Sequence, residues 1–371
     1  MKYLDEFRDP QAGQRLIAEI RRLATRRWTI MEVCGGQTHS LLRHGIDSEL
    51  AASVELIHGP GCPVCVTAVE ALESARRLSL RGDVTVATFG DMLRVPASCG
   101  TLQEARAAGG NVRAVYSPLD AVALARREPD RQVVFFAVGF ETTAPATALA
   151  VRQAAQFGLA NFSLLAAHVR VLPAMEVIAA APQRRVQGFL AAGHVCTVMG
   201  ETEYEAFVAR TRMPVVVTGF EPVDLLLGIR ECVRALEEHQ PRVANCYART
   251  AHPCGNQAAR QLIDDVYEVC DQEWRGLGTI PSGGLRLRPA WSRFDAWQRW
   301  GLRQPESPLP LIEHEACLSG DVLTGRIKPP DCPSFGTACT PEHPCGAPMV
   351  SAEGACAAYY RYALPPAAAG V

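Results

Sequence analysis

Hydrophobic residues run through this chain in short, near-continuous blocks, separated by polar and glycine-containing stretches. Between Arg27 and Gly219 the blocks are Trp28–Val33, Val54–His58, Val84–Phe89, Val112–Tyr116, Val133–Val138, Phe162–Ala167, Val186–Ala191 and Val215–Thr218. A strand that is apolar on both faces is covered on both faces, as in a parallel sheet sandwiched by helices. Apolar positions at helical spacing fall between several blocks, at Ala68–Leu80, Pro118–Arg127, Ala144–Phe157, Pro173–Ala181 and Tyr204–Thr211. Strand, turn and helix repeated in this way predict an open α/β fold.

Two of these units resemble each other. VVFFAVGFETTAP at Val133–Pro145 is echoed by PVVVTGFEPVD at Pro214–Asp224, each a strand, then Gly-Phe-Glu, then a proline near a helix start. Gly139 and Gly219 are expected in tight turns, and Glu221 as a first-turn carboxylate on the helix dipole. After about residue 235 the pattern changes. Asn256–Cys270 is amphipathic at helical spacing, RGLGTIPSGGLRLRPAW reads as a Gly- and Pro-rich connection, and the C-terminal stretch is dense in Cys and Pro. The expected helix Leu4–Ala24 lies outside the α/β rhythm and is assigned to pack with this C-terminal part, while PPAAAGV reads as a frayed tail.

Composition narrows the function. The chain has 371 residues, with 37 Lys plus Arg against 39 Asp plus Glu, a formal net charge of −2. That balance lacks the basic surplus needed to neutralise a phosphate backbone, so nucleic acid is not an expected partner. The first 25 residues carry no continuous apolar segment of the secretory type, and no apolar run approaches the ~20 residues of a membrane span. A soluble cytoplasmic protein is expected. In such a reducing compartment, 14 cysteines point to metal ligation or thiol chemistry more than to structural disulfides, with several as ordinary core residues.

Three cysteine motifs carry candidate chemistry. Cys317, Cys332, Cys339 and Cys356 follow a C-x14-C-x6-C-x16-C spacing through loop-like sequence, which suits a 4Fe–4S cluster or a four-thiolate zinc site. Zinc sites usually show paired C-x2-C spacings, and this segment has none, which favours iron–sulfur. Cys345 can replace one of the four by spacing alone. GPGCPVC at Gly59–Cys65 places a CxxC after a strand and before a helix, the geometry of a thioredoxin-like dithiol; half of a zinc site is the alternative. In EVCGGQTHS, at Glu32–Ser40, Cys34 ends a strand ahead of two glycines, where a helix N-terminus should depress its pKa. With His39 five residues on, it can bind a transition metal or act as a nucleophilic Cys–His pair; a buried Cys beside a capping Thr is the structural alternative.

Ligands in open α/β sheets bind beyond the C-terminal strand ends. Cys34, Cys62, Cys65 and Glu141 all fall there, so they can share one rim; His168 and His194 fall there too and read as structural histidines. No G-x-x-x-x-G-K-[ST] loop and no G-x-G-x-x-G after a strand is present, so neither P-loop ATP hydrolysis nor a dinucleotide site is supported.

EVCGGQTHS, GPGCPVC, FGDMLRVP, GFETTAP, TGFEP and the C-terminal cysteine spacing, in this order over essentially the whole chain, resemble the HypD family of NiFe-hydrogenase maturation proteins. The resemblance implies two related open parallel-sheet α/β/α domains, at residues 25–128 and 129–235, and a smaller loop-rich iron–sulfur domain formed by 1–24 with 236–371. It implies a scaffold, formed with HypC, on which an Fe(CN)2CO unit is assembled with cyanide from HypE and passed toward the hydrogenase large subunit. By position, Cys34 is then the iron-holding thiolate, His39 its support, Cys62 and Cys65 a redox dithiol, and Glu141 a site carboxylate. Cys317, Cys332, Cys339 and Cys356 match the 4Fe–4S ligands. In PCGAPMV the chain departs from the family: Pro348 stands where relatives tend to carry Cys beside the Met, and Cys345 lies three residues earlier. Such a protein is a redox-active assembly scaffold rather than a stand-alone turnover enzyme. The rival readings are a cluster-dependent disulfide reductase resembling ferredoxin–thioredoxin reductase, and a non-redox zinc scaffold.

Overall fold

In the computed structural model, which describes residues 5–302 and 317–363, each of the eight hydrophobic blocks contains a strand. The strands are β1 (Trp28–Glu32), β2 (Val54–His58), β3 (Val84–Thr88), β4 (Val112–Ala114), β5 (Gln132–Gly139), β6 (Phe162–Val169), β7 (Gly188–Ala192) and β8 (Val215–Thr218), followed by β9 (Val243–Asn245), β10 (Tyr267–Trp274) and β11 (Gly278–Leu287). Local signals set many boundaries. Helix Pro118–Arg127 starts at Pro118 because Ser117 accepts the Leu119 N–H at 3.2 Å and proline needs no donor there.

The strands form two sheets. One is five-stranded and wholly parallel, in the order β2-β1-β7-β8-β9; the other is six-stranded and mixed, in the order β10-β11-β6-β5-β3-β4. In the second, β3 to β6 are parallel and the β10–β11 hairpin is antiparallel, joined to β6 through β11. The expectation of an α/β fold with two sheets holds, with one sheet mixed rather than parallel.

The chain does not divide at residue 128, as the contiguous boundaries 25–128 and 129–235 would require. β1 and β2 belong to the five-stranded sheet, β3 to β6 to the other, and β7 to β9 return to the first. A shared core ties the sheets together: Val169 and Trp274 of the mixed sheet, with Phe140 just past β5, pack in one cluster with Phe189 and Ala191 of the parallel sheet. The N-terminal helix, Pro10–Leu23, also departs from expectation. It buries Leu16 and Ile20 among Leu225, Leu226 and Ile229 of helix Pro222–Glu237, so it covers the parallel sheet rather than the C-terminal part. Each such aliphatic side chain contributes about 1.5–3 kcal/mol when fully buried.

The expected helix Asn256–Cys270 ends at Val266. Asn256 caps it by accepting the Ala259 N–H at 3.1 Å, and from Tyr267 the chain is the strand β10, with Cys270, Gln272 and Trp274 buried on alternate positions. The Gly-rich stretch read as a connection is largely β11, with Gly276 (φ +80°) in the turn between the two strands. No helix among the described residues is long and apolar enough to cross a membrane. The PPAAAGV tail lies outside the described residues.

Candidate metal and thiol site

The parallel sheet reverses its winding between β1 and β7: the chain proceeds outward from β1 to β2 on one side and from β7 through β9 on the other. Such a switch point opens a crevice beyond the strand C-termini. Cys34 leaves β1 and His194 leaves β7 at this point, and Cys34 Sγ lies 3.7 Å from His194 Nδ1. The Phe220 ring packs against His194, with centroids 5.2 Å apart, and against Gly36. Tyr247 in turn contacts the Phe220 edge.

Cys34 caps helix Gly35–Arg43 from an extended conformation, and two close backbone approaches hold it. A Cβ on Gly61 would sit 2.4 Å from the Cys34 nitrogen, and one on Gly35 would sit 2.1 Å from the Glu353 carbonyl oxygen. The Gly35 N–H donates to the Gly61 oxygen at 2.9 Å, which locks the CGG loop against the GPG loop. Only glycine permits either contact.

Beneath the loop lies a buried polar chain. Glu32, with no exposed surface, accepts the Cys34 N–H on Oε2 at 3.0 Å, and on Oε1 the Thr38 hydroxyl and His58 Nδ1, both at 2.5 Å. His58 Nε2 meets the Tyr359 hydroxyl at 2.9 Å, and Tyr359 donates to Asp47, which pairs with Lys328 at 3.2 Å. Gln37 donates to the Ala191 and Thr218 carbonyls at 3.2 and 3.1 Å, bracing β7 and β8.

The helix N-terminus does not depress the Cys34 pKa as expected. Burial pushes the thiol well above its ordinary value and outweighs the offsetting Gln37 and Gly36 N–H groups. Burial likewise lowers the His194 imidazole to about 4. At neutral pH the resting pair is therefore a neutral thiol facing a neutral imidazole.

Cys62 and Cys65 flank the start of the short helix Pro63–Val66, and both are buried in the same core cluster as Cys34. Burial raises the Cys65 pKa, followed by its hydrogen bond to the Cys62 thiol and the nearby charges of Cys356 and Glu353. The dithiol thus adjoins the C-terminal segment. There Cys317, Cys332, Cys339, Cys345 and Cys356 line one cavity, closed on its apolar side by Phe335 and Met349. Cys339 Sγ accepts the Cys345 N–H at 3.3 Å. Cys356 is raised by burial, then by Cys317, Cys339 and Cys332. Among the described residues no three His, Cys, Asp or Glu side chains are set to share a single metal ion.

His39 is not brought to Cys34. Five residues on at 100° each, it faces away around the helix, and its Nε2 meets the Tyr362 hydroxyl at 3.0 Å. His194 occupies the position expected for His39. Glu141 is also held elsewhere: it accepts the Val171 N–H at 3.0 Å, its second oxygen is buried without a hydrogen-bond partner, and burial raises its pKa to about 7. Its electrostatic neighbours are Arg170, Glu203, Cys196 and Tyr204. His168 contacts Thr147 at 3.3 Å in the core, and Glu221 pairs with Arg8 on the surface.

Glu32, His58, Glu353 and Tyr359 carried no signal in the sequence reading. His194 did, since it follows a strand end; only the pairing of β1 with β7 shows that this end adjoins Cys34.

Fold and site together define a two-sheet α/β protein whose thiols gather at a strand-end crevice and in an adjoining cysteine-lined cavity. The HypD family model, described as the hydrogenase formation hypA family, matches residues 11–363. The chain is 46% identical over 370 residues to the hydrogenase maturation factor HypD of Rhodobacter capsulatus, covering 98% of both chains. It is 45% identical over 371 residues to that of Azotobacter vinelandii, covering 98% of this chain and 97% of the relative. With the Escherichia coli K12 factor it shares 42% identity over 370 residues, covering 98% of both. The chain belongs to the HypD family of hydrogenase maturation factors.

Proposed function

We propose that this chain acts in the cytoplasm with a HypC-like partner as the scaffold on which the Fe(CN)2CO unit of a NiFe hydrogenase is assembled. Cyanide arrives from a HypE-like donor, and the finished unit leaves toward the hydrogenase large subunit. The observation that carries this reading is the buried Cys34 thiol facing His194 at the switch point. A soft thiolate suits low-spin iron bearing π-accepting ligands. When iron takes the sulfur, His194 Nδ1, at 3.7 Å, is placed to accept the thiol proton. Glu32 orients the Cys34 backbone, and Phe220 and Tyr247 wall the crevice and exclude water.

The thiol set of Cys317, Cys332, Cys339 and Cys356 fits a resident 4Fe–4S cluster by donor chemistry: sulfur only, an apolar wall, and an N–H···S hydrogen bond of the kind that tunes such centres. That cluster, when bound, supplies electrons. Helix Pro63–Val66, which carries Cys65, packs against the Ala347–Met349 turn that lines the cavity, which supports a role for the Cys62–Cys65 dithiol in passing reducing equivalents and protons between the cavity and the crevice.

Cys34→Ala is expected to abolish the cyanide and CO infrared bands of the anaerobically purified complex with the HypC-like partner, with the brown cluster absorbance unchanged. Bands of full strength in that variant overturn the assignment. A cluster-dependent disulfide reductase uses the same dithiol beside the same cavity, but has no use for the Cys34–His194 pair; full disulfide turnover by Cys34→Ala favours it. Zinc in a colourless protein favours the zinc scaffold.

A further inference from the structure

The cavity has one more thiol than a four-iron cluster needs. Resting on the cluster reading above, we propose that Cys345 is a reserve ligand that replaces Cys339 when that thiolate is lost to alkylation or substitution. Local structure brings the two together. Between them Thr340 and His343 exchange backbone hydrogen bonds, at 3.3 and 3.1 Å, in a tight turn with Pro341 at its second position and Pro344 directly after it. That turn folds Cys345 back so that its N–H reaches Cys339 Sγ at 3.3 Å, and both side chains line the cavity.

The direction of replacement follows from the rest of the geometry. Cys339 is buried, whereas Cys345 is partly exposed, its thiol set 3.6 Å from the Ala338 carbonyl. The following residue is glycine, and a Cβ there would sit 2.4 Å from Cys317 Sγ, so the backbone after Cys345 passes directly along the thiol ring. The step changes no oxidation state: with no thiolate at residue 339, one iron is left open, the Cys345 S–H bond breaks, an iron–sulfur bond to Cys345 forms, and the proton goes to water.

The experiment compares full-length wild type with Cys339→Ala, Cys345→Ala, the double variant and Cys332→Ala, each reconstituted anaerobically. Iron and sulfide per chain are measured, together with iodoacetamide labelling of Cys345 by mass spectrometry. Wild type and Cys345→Ala are expected to load equally, with Cys345 labelled in wild type. Cys339→Ala retains at least about half the iron and shields Cys345, while the double variant and Cys332→Ala fall about tenfold. The proposal is overturned if Cys339→Ala is as empty as the double variant, if it loads while Cys345 still labels, or if Cys345→Ala alone loses the cluster. In those cases wild-type loading leaves the cluster reading standing; a wild type that takes up zinc and no iron–sulfur removes both.

Discussion

Cys34 is held at the C-terminal end of an interior strand of a parallel sheet, where β1 and β7 pair residue by residue, glycine contacts fix the loop and a buried carboxylate takes up its backbone N–H. The cysteine-lined cavity is built from irregular chain: a five-residue helix, single turns of 3-10 helix, tight turns, and one regular helix, Ala355–Tyr362. Ladder hydrogen bonds and apolar burial hold the first in place whether or not metal is bound. The second has no strand ladder between Cys332 and Cys345 among the described residues, where backbone hydrogen bonds are those of local turns. A site at the end of paired interior strands is preorganised, whereas a site on loops draws order from what it binds.

The largest test of this contrast is metal removal. Stripping the cluster from the protein under reducing conditions is expected to speed amide exchange across 329–346 by about a hundredfold or more, with β1 and β7 unchanged. Equal acceleration in both regions would sink the distinction.

A rigid strand end can also hold a group in an unfavourable state, and Glu141 beyond β5 measures how firmly. Its folded pKa, about 7, lies above the ordinary 4.5, because burial disfavours the carboxylate. The protonated form therefore stabilises the fold below pH 4.5, and that contribution is lost as pH rises through 7. Glu141→Gln mimics the protonated form. Its stability advantage over wild type in urea unfolding should grow from under about 1 kcal/mol near pH 5 to about 3 kcal/mol near pH 8. An advantage independent of pH would contradict it.

The smallest effect separates the two histidines. His39→Ala removes one bond to Tyr362 between the regions and is expected to cost about 1 kcal/mol, leaving the cyanide bands in place. His194→Ala should weaken those bands while the cluster absorbance is retained. The reverse outcome would restore His39 as the supporting residue.

Much of the local structure was legible. β2, β8 and helix Pro118–Arg127 have the bounds that their hydrophobic blocks and caps predict, because such signals act between near neighbours. The β10–β11 hairpin was not, since its glycines read as a connection while cross-strand pairing with β6 decides the outcome. The cysteine spacing marked the cavity, and the motifs marked Cys34 and the dithiol.

The sequence by itself determined the α/β rhythm, the family and the cysteines that carry the chemistry, since periodicity, turn residues and motif spacing are properties of adjacent positions. Tertiary structure alone decided that two sheets interleave along the chain, that the N-terminal helix covers the parallel one, and that His194 rather than His39 meets Cys34. It also joined Glu32 through His58 to Tyr359, over 300 residues away in sequence. Strand order and burial bring such groups together, and both depend on contacts between segments that share no local signal.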